Sequence, residues 1–259
     1  MTKTITAGLV LLVFSLATQA AVQSKAVEYK DGDTPLTGYL YWDDAIEGAR
    51  PGVLVIHEWW GLNDYARKRA HMLAELGFVA FAADMYGDGH VTDTPDQART
   101  WMQEVTADVE GWRERALLGL NQLKASGMVS GDNLAAIGYC FGGATVLQMA
   151  YANAPVRGVV TFHGSLPAAP EEAKGKIGPK VLVLHGHADA WVAPEVIANF
   201  RAKLEEAGAN WEMNSYGGAK HGFTNPDAGK YGIPNLEYNK QADERSWARM
   251  GEFFGEVFE

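Results

Sequence analysis

The sequence predicts an α/β fold: a mostly parallel central sheet with helices on both faces. Three observations point there. Strand-like and helix-like segments alternate along most of the chain, the pattern of repeated βαβ units. Some strand-like segments, such as residues 52–57 (GVLVIH), are apolar without interruption, which marks strands covered on both faces. Residues 134–139 run through a glycine-rich turn directly into an apolar, helix-forming stretch.

The elements follow in order. Residues 37–42 read as a strand and 52–57 as a buried one. Residues 64–76 form an amphipathic helix that Gly77 stops, since glycine ends a helix at little cost. Residues 78–83 are the next buried strand. The segment 86–108 is polar, with weak periodicity at first, an excursion that reads equally as a lid or a surface loop. A long helix over 109–126 ends at Gly127, and a strand over 134–139 leads to a helix over 141–152. Strands at 156–163 and 180–185, a helix at 193–207 and a last strand at 210–216 follow. The closing helix, 242–258, sets Trp247, Met250, Phe254 and Val257 on one stripe. No repeat, low-complexity tract or linker interrupts this order.

The first twenty residues read as an export signal. Lys3 gives a positive start, residues 7–17 are apolar, and Thr18-Gln19-Ala20 offers small residues before a cut after Ala20. The alternative, an uncleaved membrane anchor, needs about 20 apolar residues, and this run is shorter. The expected organisation is a signal peptide over 1–20 and one domain over 21–259, exported to the periplasm or secreted, with no stable membrane anchor. The formal net charge of −10 argues against a nucleic-acid partner. The only basic run, Arg67-Lys68-Arg69, reads as a solvated helix face. The chain is expected to act as a monomer on a small molecule.

The single cysteine, Cys140, lies in Gly138-Tyr139-Cys140-Phe141-Gly142-Gly143. Strand, glycine-rich turn and helix are the setting of a G-x-S-x-G nucleophile elbow, here with a thiol in place of the hydroxyl. The alternative is a small buried thiol packed between sheet and helix. A thiol in an exported protein, with no second cysteine to pair it, is a liability unless it is buried or used. A nucleophile of this kind needs a base, and the base needs an orienting acid. In chain order the candidates are Asp189, past the strand 180–185, and His221, in the glycine-rich loop after the strand 210–216. Read alone, Asp189 fits a turn or a helix cap, and His221 fits an exposed loop histidine. His185, His187 and Asp189 also raise a metal reading, but no further ligand follows at a familiar zinc spacing, so neither metal nor cofactor is expected. The oxyanion of such a site is held by two backbone N–H groups. Phe141 supplies one, and Trp59, past the strand 52–57, is the best source of the other. Glu58, next to it, either caps the following helix or bears on the thiol.

Taken together, the elbow, His57-Glu58-Trp59-Trp60-Gly61, Ala83-Asp84-Met85-Tyr86-Gly87, Asp189-Ala190-Trp191-Val192-Ala193-Pro194 and His221-Gly222-Phe223 resemble the dienelactone hydrolase family, the carboxymethylenebutenolidases. The resemblance implies an α/β-hydrolase fold, a catalytic triad of Cys140, Asp189 and His221, and a Glu58 that holds the resting thiol and accepts its proton when substrate arrives. It departs from the best-known members at Asn225, where they carry an arginine that binds a substrate carboxylate. A second family arginine corresponds to Arg99 once a gap is allowed. With Asn225 in that place, Trp60, Trp191 and Phe223, beside Trp59, point to an apolar or aromatic pocket, with core packing an equal reading for each ring. The expected activity is cleavage of a lactone or carboxylic ester through a thioester. The alternative is a non-catalytic small-molecule-binding module on the same scaffold.

Overall fold

The computed structural model describes residues 22–259. The expected signal peptide lies outside the described residues. Eight strands form one sheet: β1 (Val22–Asp31), β2 (Thr34–Asp43), β3 (Arg50–Ile56), β4 (Val79–Ala83), β5 (Val129–Tyr139), β6 (Gly158–Phe162), β7 (Lys180–Gly186) and β8 (Trp211–Tyr216). Their spatial order is β1-β2-β4-β3-β5-β6-β7-β8. The pairs β1–β2 and β2–β4 are antiparallel, and every other pair is parallel.

The helices are α1 (Asp64–Glu75), α2 (Pro95–Thr106), α3 (Val109–Ala125), α4 (Phe141–Tyr151), α5 (Pro194–Glu206) and α6 (Lys240–Phe258). The sheet's alternation divides them between its faces. On β3, Val53 and Val55 pack with Ala66, Ala70 and Leu73 of α1 and with Met250 and Phe254 of α6. Leu54 and Ile56 point the other way, into a cluster with Leu120 of α3, Leu147 of α4 and Phe200 of α5. Both faces are therefore apolar, which explains the unbroken apolar run of β3. Asn63 caps α1 by accepting the Ala66 amide, 3.3 Å away, and Gly77 follows the helix at φ +91°.

Three features differ from the sequence expectation. β1 pairs with β2 along its whole length, from Val22↔Asp43 to Asp31↔Thr34. Its residues VQSKAVEYKD carry little apolar signal because it is an edge strand whose side chains are mostly accessible. β5 begins at Val129, five residues before the apolar run, because Val129 pairs with Arg50 ahead of a register shift. The 86–108 excursion contains α2, of which only Ala98 is fully buried. Its Trp101 helps to line a groove of about 550 Å³ together with Tyr86, His90 and Arg115.

All parallel strands deliver their carboxyl ends to one edge of the sheet, where sites of such folds form. The elbow after β5 is drawn against the end of β3: the Gly142 amide donates to the His57 carbonyl at 3.0–3.2 Å spacing typical of backbone bonds, here 3.1 Å. A methyl group at Gly142 would lie 2.3 Å from the Ile56 carbonyl oxygen. Gly142→Ala is therefore expected to lose at least about 2 kcal/mol of stability through overpacking, roughly a 4–8 °C fall in melting temperature for a domain of this size, read by thermal unfolding.

Candidate active site

Cys140 follows β5 directly and takes φ +55°, ψ −113°, a conformation that L-residues adopt only where the surroundings impose it. Those surroundings are identifiable. The Cys140 amide donates to the Phe162 carbonyl at 3.0 Å. At Gly143, an added Cβ would meet Thr161 Oγ1 at 2.4 Å, so α4 starts closer to the sheet than any larger residue permits. The thiol is half-buried at the head of α4.

Asp189 and His221 meet across the loops that follow β7 and β8. His221 Nδ1 lies 2.7 Å from Asp189 Oδ2, and both residues are buried. Asp189 Oδ1 accepts the Trp191 amide at 3.0 Å and Asn235 Nδ2 at 2.9 Å. Burial alone would raise the pKa of this carboxyl, but the hydrogen bonds from His221, Asn235 and Trp191 hold it at about 2. It stays ionised and fixes the imidazole with its proton on Nδ1. Burial also disfavours the imidazolium of His221, yet the Cys140 sulfur and Asp189 outweigh it and push its pKa up to about 10. Nε2 is buried without a well-formed hydrogen bond; the Cys140 sulfur is the neighbouring acid that bears on the ring. Contacts of this kind tighten when substrate is bound. Sulfur, imidazole and carboxylate are thus gathered at one edge of the sheet.

Glu58 does not cap α1, since Asn63 does. Its carboxylate accepts Asn225 Nδ2 at 2.7 Å and is only 4 % exposed. Burial pushes its pKa up to about 7, against opposing effects of Asn225, His221, Arg69 and Lys230. Asn225 therefore stands at the site as a clamp on Glu58. Its own Oδ1 accepts the Asp227 amide at 2.9 Å. Among the described residues, neither the Phe141 amide nor the Trp59 amide donates to another group.

The four expected pocket residues part ways. Trp191 is 47 % exposed, and its ring lies 4.6 Å from that of His221; Trp59 is 6.3 Å from Trp191. These two form an aromatic wall beside the imidazole. Trp60 is instead buried, stacked on Tyr231 at 3.7 Å, behind Trp59. Phe223 is buried with Ala219 and Ala242, because its side chain points away from the cleft into the packing under the histidine loop. Arg99 lies on the exposed face of α2 with its guanidinium on Asp96 at 3.0 Å and makes no contact with the triad residues.

Sequence reasoning missed the supports of the histidine loop. Arg69, read as part of a solvated face, is 4 % exposed. It donates to the Thr224 carbonyl at 2.5 Å and to Asp243 Oδ1 of α6 at 2.6 Å. A buried guanidinium needs such partners to offset its desolvation. Thr224 Oγ1 also meets the Tyr65 hydroxyl at 2.5 Å and His163 Nε2 at 2.7 Å. Asn235, which holds Asp189, sits one residue before Leu236, bridged to His221. Only the helical phase of Arg69, level with Ala66, Ala70 and Leu73 on the buried side of α1, signalled any of this in the sequence. No group of three or more His, Cys, Asp or Glu residues is placed to hold a metal among the described residues. None of their helices is long and apolar enough to cross a membrane.

Residues 36–258 match the sequence pattern of the dienelactone hydrolase family. A putative carboxymethylenebutenolidase of Saccharolobus solfataricus is 28 % identical over 247 residues, covering 82 % of this chain and 91 % of that protein. A probable 2-oxo-3-(5-oxofuran-2-ylidene)propanoate lactonase of Bradyrhizobium is 26 % identical, covering 69 % and 75 %. Among solved structures, a dienelactone hydrolase-like promiscuous phosphotriesterase from metagenomic libraries superposes with a TM-score of 0.89 at 42 % identity, covering 92 % of this chain and all of that one.

The raised pKa of Glu58 has a thermodynamic consequence. Between its ordinary value of 4.5 and about 7 the folded protein holds a proton that the unfolded chain has released. Stability from this group therefore falls as pH rises through that window. Glu58→Gln, neutral at every pH, should gain stability over the parent on going from pH 4.5 to 7. The gain should level off above, at on the order of 3 kcal/mol, as read by urea unfolding across pH.

Proposed function

The chain belongs to the dienelactone hydrolase family and is a hydrolase acting on esters or lactones; we propose that it works through a Cys140–His221–Asp189 triad and a thioester. The observation that carries this reading is the buried Asp189–His221 pair beside the strained thiol at the head of α4. The Cys140 thiolate attacks the carbonyl carbon. The oxyanion that forms takes hydrogen bonds from the Phe141 and Trp59 amides, each worth on the order of 3 kcal/mol in a fixed site. Collapse breaks the bond to the alkoxide, and the His221 imidazolium gives it a proton. The neutral imidazole then removes a proton from water, hydroxide adds to the thioester, and the thiolate leaves as the acid is released. Glu58, poised near neutrality, exchanges the proton that the thiol gives up when substrate enters.

The pocket favours neutral substrates. Apart from His221, the cations that bear on Glu58 are engaged elsewhere, Arg69 with Asp243 and Lys230 with Asp93, and Arg99 is held by Asp96 on the exposed face of α2. The accessible wall is the aromatic pair Trp59 and Trp191. An aryl or alkyl ester, or an uncharged lactone, matches that surface better than a carboxylate-bearing lactone. A neutral phosphotriester is the second substrate class, supported by the phosphotriesterase at 42 % identity. Residues 1–20 are read as an export leader, and N-terminal sequencing of exported protein should find Ala21 first.

Cys140→Ala should lose ester hydrolysis to near the uncatalysed background while its circular dichroism is unchanged, and retained turnover would remove the cysteine from the mechanism. Iodoacetamide should alkylate Cys140 readily in the parent and more slowly in His221→Ala. An inert thiol together with background hydrolysis would mark a binding module. Asn225→Arg should shift preference toward carboxylate-bearing lactones in a competition between the two substrate types.

A further inference from the structure

We propose that His57 is a positioning residue that sets the oxyanion hole, by holding the Glu58–Trp59 peptide so that the Trp59 amide is presented to the reacting carbonyl, with Tyr86 locking the next peptide. This rests on the reading of Trp59 as an oxyanion donor and names what makes it one.

His57 is wholly buried at the carboxyl end of β3, and the triad mechanism gives it no proton to move. Its two ring nitrogens are both engaged. The Met85 amide lies 3.2 Å from Nε2. A backbone amide can only donate, so Nε2 carries the lone pair and the ring proton is assigned to Nδ1. Nδ1 lies 2.5 Å from the Glu58 carbonyl oxygen and donates to it. Burial keeps the imidazole below its ordinary pKa, so the neutral tautomer that makes both bonds is the one present at neutral pH.

The consequence follows from peptide geometry. No cis peptide occurs among the described residues, and in a planar trans peptide the C=O and N–H point in opposite directions. With the Glu58 carbonyl turned to the imidazole, the Trp59 N–H must point away from His57. It has no acceptor there, as a donor kept for a transition-state oxygen requires. The Gly61 amide, at 3.3 Å, holds the same Glu58 carbonyl from a second side. The Tyr86 hydroxyl donates to the Trp59 carbonyl at 2.9 Å, so the two peptides that flank the Trp59 Cα are both tied. The other half of the hole is referenced to the same residue. The His57 carbonyl accepts the Gly142 amide at 3.1 Å, and its ring packs 5.9 Å from that of Phe141. One residue thereby registers both donors against each other.

The test compares His57→Phe, His57→Asn, His57→Gln and Tyr86→Phe on a neutral aryl ester, with iodoacetamide alkylation of Cys140 measured in parallel. Phenylalanine keeps the ring and removes the donor. It should lower kcat by about 30- to 300-fold, in the range of a lost oxyanion donor. KM should stay within about threefold and alkylation, which forms no oxyanion, within about twofold. Asparagine sets an amide N–H where Nδ1 was and should restore at least about tenfold in kcat over phenylalanine; glutamine sets its amide at the Nε2 end and should not. Tyr86→Phe should lose several-fold in kcat alone. A His57→Phe kcat within about threefold of the parent, or glutamine equal to asparagine, overturns the proposal. Parallel loss of alkylation also overturns it, because the damage would then lie in the Cys–His pair. The Asn–Gln comparison decides the matter if the phenylalanine variant does not fold. Failure of the triad reading shows separately, as hydrolysis retained in Cys140→Ala.

Discussion

The site is organised by the seam between the elbow and the end of β3, where backbone meets backbone with no side chain between. Gly142 abuts the carbonyls of Ile56 and His57, and its amide closes a hydrogen bond to the latter. Because β3 and β5 are adjacent and parallel, their carboxyl ends arrive side by side, so the thiol and the Glu58–Trp59 loop share one corner. A positive φ at Cys140 is tolerable there because the strands and α4 over-determine it. The seam brings the Cys140 turn and the Glu58–Trp59 loop together at one corner of the sheet.

The histidine arrives by a different route. Its loop follows β8, an edge strand with partly accessible side chains, and would have little reason to stay put on packing alone. Hydrogen bonds hold it instead: Asp189 on the ring, Asn235 behind Asp189, and the Arg69–Thr224–His163–Tyr65 group beneath. Hydrogen bonds joined in this way reinforce one another in a low-dielectric interior. Burial, only partly offset by these neighbours, leaves Glu58 titrating at about 7, and the aromatic pair Trp59 and Trp191 lines the accessible side.

The succession of strands and helices, the two helical layers and the positions of Cys140, Asp189 and His221 past strand ends were legible because each rests on a local pattern: apolar runs, glycine stops, and one motif with its partners in chain order. What the sequence hid depends on contacts between distant segments. Arg69 sits in a basic run that looks solvated, and only its partner Asp243, far along the chain, makes it a buried residue. Asn235 lies in an irregular loop with no motif. Trp60 and Phe223 looked like pocket residues because aromatic type does not tell which side of a backbone a ring takes. Arg99 was assigned through a family correspondence that crossed a gap, and α2 turns it to solvent. β1 escaped notice because an edge strand need not be apolar.

Arg69 also ties the carboxyl-terminal helix to the chemistry. Asp243 stands in the first turn of α6, so that helix supplies the counter-charge for the guanidinium that grips Thr224, three residues after the imidazole. The helix that buries Met250 and Phe254 against β3 thus also steadies, through one ion pair, the loop that carries the imidazole.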